Sequence, residues 1–277
     1  MATIQEYETI SEFINDTKDF IYENRYHCVY LTNQISGILD KLIKPLCGFT
    51  IKSKRGIVVV LVTNHACLIY GKYSNTEVVI KISNRLESVV IDKRVVSGSK
   101  DLVEAYIKHN KFKYEVTKFR ISYECLKVNN KINTSLGTLG KAEEKYIDTY
   151  VRFGMGFSKE YDDGQKADEI IMKDSILKSI KIGNIYHWQD DNAICGICRM
   201  HFDGFDHVLD FFFIDKDFRR KGYGYSIAYE LTSYYLQNRT NKILLTADGN
   251  NPKSNAIFRK IGFKETAKYL KAVITLH

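Results

Sequence analysis

The sequence predicts an α/β protein of the α+β kind, built in two parts: a smaller, divergent N-terminal α/β domain over residues 1–130 and a second domain over 131–277. Three observations carry this reading. β-branched runs bounded by turn residues mark strands, apolar residues at helical spacing mark helices between them, and the polar stretch Asn129 to Lys141, NNKINTSLGTLGK, separates two regions of clear periodicity. A chain of 277 residues accommodates two domains of ordinary size, and 44% hydrophobic residues with only 2 Pro is the profile of an ordered globular protein.

In the first half, Ile4 to Tyr22 is expected to be helical and a second helix ends near Asp40 to Ile43. GFTIKSKRGIVVVLVTNHACLIY then reads as strand, turn, strand, turn, strand. Helices over Thr76 to Leu86 and Lys100 to His109, and strands over Tyr114 to Val128, complete this half. In the second half, Glu143 to Phe157 and Lys166 to Ile180 are helical, the latter with Ile170, Ile171, Ile176 and Leu177 as an apolar stripe. NIYHWQDDNAICGICRMHF is a hairpin turning at Gln189 to Asn192, and His207 to Ile214 is a third strand. There follow a helix from Arg220 to Gln237, a strand Lys242 to Thr246, a short helix Pro252 to Lys260 and a strand near Tyr269 to Leu276. Asn251 is a good N-cap, Pro252 suits the first helical position and Gly262 fits the helix end.

The start, MATIQEYETISEF, has three glutamates, two of them (Glu6 and Glu8) ahead of any apolar run, and no basic segment, so it does not resemble a signal peptide, and GIVVVLVTNHACLIY is too short to span a bilayer. A cytoplasmic protein with no membrane partner is expected. Six scattered cysteines then read as reduced thiols. Cys195 and Cys198 form a lone C-x-x-C on a strand, where a three-residue offset points the side chains to opposite faces; core cysteines, and no metal site, are expected.

The formal net charge of +8 is concentrated: from Arg219 onward there are 11 Lys/Arg against 3 Asp/Glu, while residues 1–218 are neutral. That last fifth holds Phe218 to Gly224, FRRKGYG, where a strand passes through a short loop into a long helix. The first-turn amides of a helix point outward and its dipole favours negative charge, so Arg219, Arg220 and Lys221 there are either a merely basic, solvated helix start or the surroundings of an anionic ligand. Gly222 and Gly224 permit close backbone approach. The spacing fits neither the P-loop nor the dinucleotide fingerprint; it is Arg-x-x-Gly-x-Gly.

One helix and one strand later stands ILLTADGNNPKSNAIFRKIGF, Ile243 to Phe263. With that pair of motifs the sequence resembles the GCN5-related N-acetyltransferase (GNAT) superfamily, and in particular a bacterial subgroup with two domains. Arg219 to Gly224 is similar to its pyrophosphate-binding loop, [Q/R]-x-x-G-x-[G/A], and Asp248 to Phe263 to the subgroup's D-x-x-N-P-x-S-N-x-I-[Y/F]-x-x-I-G-[F/Y] segment. The resemblance is specific over about Ile185 to Phe263, extends back to Glu143 and is faint before Asn129.

The resemblance implies a GNAT fold in the second half, with a central mixed, mostly antiparallel sheet flanked by helices. It implies acetyl-CoA as co-substrate, lying in the gap between the strand ending at Ile214 and the strand Lys242 to Thr246. Main-chain groups of Arg219, Arg220, Lys221, Gly222, Tyr223 and Gly224 are then expected at the pyrophosphate, and those of Phe212, Phe213 and Ile214 along the pantetheine arm as an added strand. Asn251, Ser254 and Phe258 complete the cofactor-binding set, and an amide near Phe212 to Ile214 is the expected oxyanion donor. Asp248 and Asp210 rank first as general base, ahead of His207 and His201; the bland alternatives are that Asp248 orders its turn and Asp210 pairs with an arginine.

One departure stands out. Many relatives carry a tyrosine acid seven residues after the motif asparagine, where this chain has Phe258. Either the thiolate leaves unprotonated, or Tyr223, Tyr225 or Tyr269 substitutes, or the domain is a non-catalytic acyl-CoA-binding or regulatory module. The leading expectation is an N-acetyltransferase acting on a primary amine of a small molecule or protein. Nucleic acid is the weaker alternative partner, supported only by the basic last fifth. Residues 1–128 are open between a degenerate copy of the same fold, a lid and a dimerisation surface for a homodimer.

Overall fold

The structure is a computed structural model, and it describes residues 2–72, 75–87, 89, 95–130, 135–161 and 167–275. The chain forms two compact units, Met1–Ser122 together with Ala267–His277, and Tyr123–Thr266. The chain's last strand therefore contributes to the first unit, although the sequence places it in a domain running from 131 to 277.

In the first unit the order is β1 (Thr3–Glu6), α1 (Ile10–Glu23), α2 (Val29–Leu39), β2 (Pro45–Ser53), β3 (Gly56–Thr63), β4 (Cys67–Gly71), α3 (Thr76–Leu86), β5 (Val95–Ser99), α4 (Lys100–His109) and β6, which begins at Lys113 and ends at Cys125. The expected helix from Ile4 to Tyr22 is instead a strand followed by a helix capped by Thr9, whose side chain accepts from the Glu12 amide. β3 is apolar on both faces: Val58, Val60 and Val62 join one core, Val59 and Leu61 another. A strand buried on both sides reads as a continuous apolar run. β12 (Lys264–Thr275) lies antiparallel to β5, with Tyr269↔Ser99 and Leu270↔Gly98 in register. Val95–Ser99 was not expected as a strand, because Ser97-Gly98-Ser99 carries little strand propensity. Gly98 has φ +139°, and a Cβ there would stand 1.9 Å from the Ile69 carbonyl oxygen, so the parallel β4–β5 pair requires glycine.

The second unit runs β7 (Thr138–Lys141), α5 (Ile147–Tyr161), α6 (Glu169–Ile182), β8 (Ile185–Asp190), β9 (Ala193–Phe202), β10 (His207–Ile214), α7 (Tyr223–Asn238), β11 (Ile243–Asp248) and α8 (Pro252–Ile261), then enters β12. Its strands lie in the order β11-β10-β9-β8-β7, antiparallel except for β10 and β11. From α5 the order is the expected one. The polar segment taken as a boundary holds β7, paired to β8, and part of it (131–134) lies outside the described residues. Of the expected stripe on α6, Ile176 is buried, whereas Ile170 and Ile171 are exposed. α5 lies across one face of the sheet, with Phe153, Tyr150 and Val151 packed on Ile185, Ile197 and Phe213.

The two halves share one element order: strand, two helices, three strands, helix, strand, helix, strand. They differ at the parallel pair. β4 and β5 stay paired from Cys67↔Val96 to Ile69↔Gly98, whereas β10 and β11 pair only at His207↔Ile243 and Val208↔Leu244.

Candidate functional site

Beyond Val208 and Leu244, β10 continues to Ile214 and β11 to Asp248 outside their mutual register, so the second unit's sheet opens toward the carboxyl ends of both strands. A bulge drives this opening. Between Asp210↔Arg199 and Phe213↔Ile197 the register with β9 shifts, and Phe211 takes φ +48°. Such a residue bends its strand and leaves backbone groups unpaired. Phe211 and Phe213 turn toward α5, with ring centroids 5.3 Å from Phe157 and 5.8 Å from Phe153. Phe212 and Ile214 turn the other way: a Cβ on Gly224 would lie 3.4 Å from the Phe212 ring, 3.5 Å from Ile214 and 3.4 Å from Ile257. Those are ordinary contacts, so alanine fits at 224 as well as glycine.

Gly222 is different. It is the N-cap of α7 at φ +88°, with no side chain to cap the helix, and Arg220 two residues earlier is left-handed too at φ +66°. Closely spaced left-handed residues at a helix start direct successive amides into one concavity, an anion-binding arrangement.

The three cations of the loop divide. Arg219 donates Nε to the Ile214 carbonyl (2.9 Å) and Nη2 to both carboxylate oxygens of Glu160 (3.0 and 2.9 Å), with its guanidinium 5.3 Å from the Phe213 ring. Lys221 lies 5.3 Å from the Phe218 ring centroid, and Arg220 is exposed with no ion pair among the described residues. The expected clamp of three cations is thus reduced to Arg220 and Lys221. Elsewhere in the basic last fifth, Lys242 pairs with Asp206 and Arg259 with Glu265.

At the opposite wall, Asn251 caps α8 by accepting from the Ser254 amide at 3.0 Å. Phe258 is buried at 3% exposure among Phe212 (5.6 Å), Phe263 (5.9 Å) and Tyr123 (6.2 Å). Asp248, at the end of β11, accepts from the Asn250 amide at 3.1 Å, and its carbonyl accepts from Asn251 and from the Asn255 side chain. Asp210 accepts two hydrogen bonds from Arg199, at 2.8 and 2.7 Å, and His201 stands 3.4 Å away. Burial alone would push the Asp210 carboxyl up; the Arg199 guanidinium and His201 outweigh it and hold the group below the usual carboxylate range. His207 starts β10, at the end where β10 and β11 are still paired, beside Tyr235 and Phe202, and burial lowers its pKa.

The phenols considered in place of Phe258 are occupied. Tyr223 donates its hydroxyl to Asp190, which holds its pKa up at about 12. Tyr225 stacks on Tyr229, and Tyr269 belongs to the first unit, beside Tyr30. Cys195 and Cys198 are buried free thiols pushed up in pKa by burial, and no metal-ligand cluster occurs among the described residues. Sequence reasoning missed Glu160, Asp190 and Ser135, which lie outside the motifs and meet the loop only through tertiary packing; Ile257 stands inside the Asp248 to Phe263 motif, but its place beside Gly224 is set by tertiary packing too.

Residues 153–263 match the family profile described as Acetyltransferase (GNAT) family, which marks a GNAT acetyltransferase domain over that stretch of the chain. No protein of curated function matches the sequence. Among solved structures, an acetyltransferase of the GNAT family from Colwellia psychrerythraea is similar at 13% identity and a TM-score of 0.59, covering 99% of this chain and 100% of that one. A GCN5-related N-acetyltransferase from Sphaerobacter thermophilus is similar at 12% identity, covering 81% of this chain and 79% of that one, with a TM-score of 0.49. The first likeness supports the α/β fold of both halves. Among the described residues no helix is long and apolar enough to cross a membrane.

Proposed function

We propose that the second unit is an acetyl-CoA-dependent N-acetyltransferase whose acceptor is a primary amine of a small molecule or protein. The observation that carries this is the parallel β10–β11 pair, which opens after two register positions beside an uncapped helix start whose N-cap is left-handed. An extended, apolar arm ending in a diphosphate fits that combination. Main-chain groups of Phe212, Phe213 and Ile214 offer strand-like partners, Phe212, Ile257 and Phe258 offer apolar contact, and the turn from Arg220 to Gly224 faces the diphosphate with Arg220 and Lys221 as its cations. Asn251 and Ser254 cap α8 at the other wall.

When bound, acetyl-CoA supplies an acetyl thioester that a neutral amine attacks. A backbone amide at the Phe211 bulge stabilises the developing oxyanion, a contribution of about 3 kcal/mol for one preorganised donor. Between the two carboxylates, Asp210 is held ionised by Arg199 and is a poor proton acceptor, so Asp248 at the cleft mouth is assigned the base. Asp248→Asn is expected to lower kcat roughly a hundredfold with little change in the KM for acetyl-CoA, the usual scale for a lost general base. Equal losses in Asp248→Asn and a helix-cap variant such as Asn251→Ala would reassign Asp248 to ordering the turn.

Acetyl-CoA at a hundredfold excess over its Kd should stabilise the protein by about 2.7 kcal/mol, read as a rise in melting temperature absent with NAD or ATP. Gly222→Val, which forces a β-branched residue to φ +88°, should abolish that rise, and a full rise in the variant would remove the loop from the site. The second reading, acyl-CoA binding without turnover, is motivated by Phe258 at the position of the family's acid. Release of CoA with any member of an amine panel favours the enzyme; binding without release favours the module.

A further inference from the structure

From the contacts around the loop we infer that Asp190, far from either motif in sequence, is a positioning residue that sets the phosphate-binding turn through the Tyr223 hydroxyl. The inference rests on the reading of that turn given above. Asp190 closes β8, opposite Ala193 in the β8–β9 hairpin, and its carboxylate accepts from Tyr223, the first helical residue of α7. Tyr223 is 7% exposed, its ring 6.3 Å from Phe218. A phenol held inward in this way cannot reach a ligand; it can only fix the backbone that carries it.

Two further tethers hold the same turn from other directions. Arg219 binds Glu160 on α5 and the Ile214 carbonyl, at the start of the turn. Ser226, completely buried in the next turn of α7, accepts from the Ser135 amide at 3.0 Å and meets the Ser135 hydroxyl at 2.8 Å, and the same Ser135 is the nearest neighbour of a Cβ placed on Gly222. Between these three anchors lie the two left-handed residues, Arg220 and Gly222. A non-glycine residue keeps that conformation only where its surroundings over-determine it. A carboxylate near an anion site weakens binding by repulsion, which the phenol's hydrogen bond does not remove; the role inferred for Asp190 is the ordering of the turn, which Tyr223→Phe tests with the charge left in place.

The test separates this role from the reading beneath it. In the ligand-free full chain, Asp190→Ala and Tyr223→Phe should each speed amide hydrogen exchange across residues 220–225 while leaving β8 and β9 protected, a result independent of any ligand. In steady state each should raise the KM for acetyl-CoA about tenfold, as for a lost hydrogen bond to a charged group, with kcat within twofold of the parent. The double variant should match the singles, because both remove one contact. Asp190→Asn, whose amide oxygen still accepts from the phenol, should restore most of the affinity. Unchanged exchange and unchanged KM in both single variants, or additive losses in the double, would overturn the assignment. Faster exchange in the single variants, together with a parent chain that does not bind acetyl-CoA, would keep Asp190 as the anchor of the turn and overturn only the function proposed for it.

Discussion

Burial sets the titration of His27, in the turn between α1 and α2. Its Nε2 meets the Ser99 hydroxyl at 3.0 Å, its ring packs edge-on to Tyr70 at 5.3 Å, and burial lowers its pKa from the ordinary 6.5 to about 4. The unfolded chain therefore takes up a proton near pH 6.5 while the folded one resists until about pH 4. Over that window the unfolded state binds more protons and stability falls as pH falls, by about 3 kcal/mol at full protonation if nothing else titrates. Denaturant midpoints measured from pH 7 to 4 should show this loss, and His27→Gln should flatten it; an unaltered slope in the variant would assign the acid sensitivity elsewhere. Arg220 carries a different residue-scale cost. A left-handed non-glycine residue is disfavoured by roughly 1–2 kcal/mol, which the Glu160, Asp190 and Ser135 tethers around it offset.

At the scale of elements, legibility followed the strength of local chemistry. Thr76–Leu86, Lys100–His109 and His207–Ile214 fall where periodicity and turn residues place them, and α8 begins and ends at its Asn251 cap and Gly262 because those signals are local. Elements whose pattern is weak were missed: β1 has every residue exposed, β5 ends in Ser-Gly-Ser, and β7 sits in a polar stretch and exists because β8 offers it an edge. The candidate site divides the same way. The positive φ at Gly222 was legible in the glycine itself, whereas the Phe211 bulge was not, since three consecutive phenylalanines give no sign of which one turns left-handed. Charge was the least reliable guide. Arg219, expected at the phosphate, is held by an ion pair with Glu160, fifty-nine residues away in sequence, a partner that local charge does not reveal. For Asp210 the sequence left a base and an arginine partner side by side, and the structure pairs it with Arg199.

At the scale of the molecule, a sequence boundary near residue 130 and the boundary drawn by packing differ by one strand, and the difference has a measurable consequence. Leu270, Ala272 and Ile274 of β12 are buried in the first unit's core with Val96, Leu102 and Val103, and β12 lines up with β5 from Tyr269↔Ser99 to Val273↔Val95. A fragment spanning 131–277 would carry that strand without β5 and β6, its two neighbours in the full chain, exposing its apolar face and unpaired edges, the combination that drives association between chains. Such a fragment is expected to self-associate in size-exclusion chromatography, and one ending at Thr266 to do so less, because it omits the residues that belong to the first core. In the full chain, Leu270→Ala should cost about 2–5 kcal/mol, the range for a large-to-small change in a packed core, and should act on the first unit. Hydrogen exchange would report it in β3 to β5 while β8 to β10 keep their protection. A monomeric, cooperatively melting 131–277 fragment together with a Leu270→Ala change felt in β8 to β10 would return β12 to the second unit, and the two halves would then each end on their own last strand.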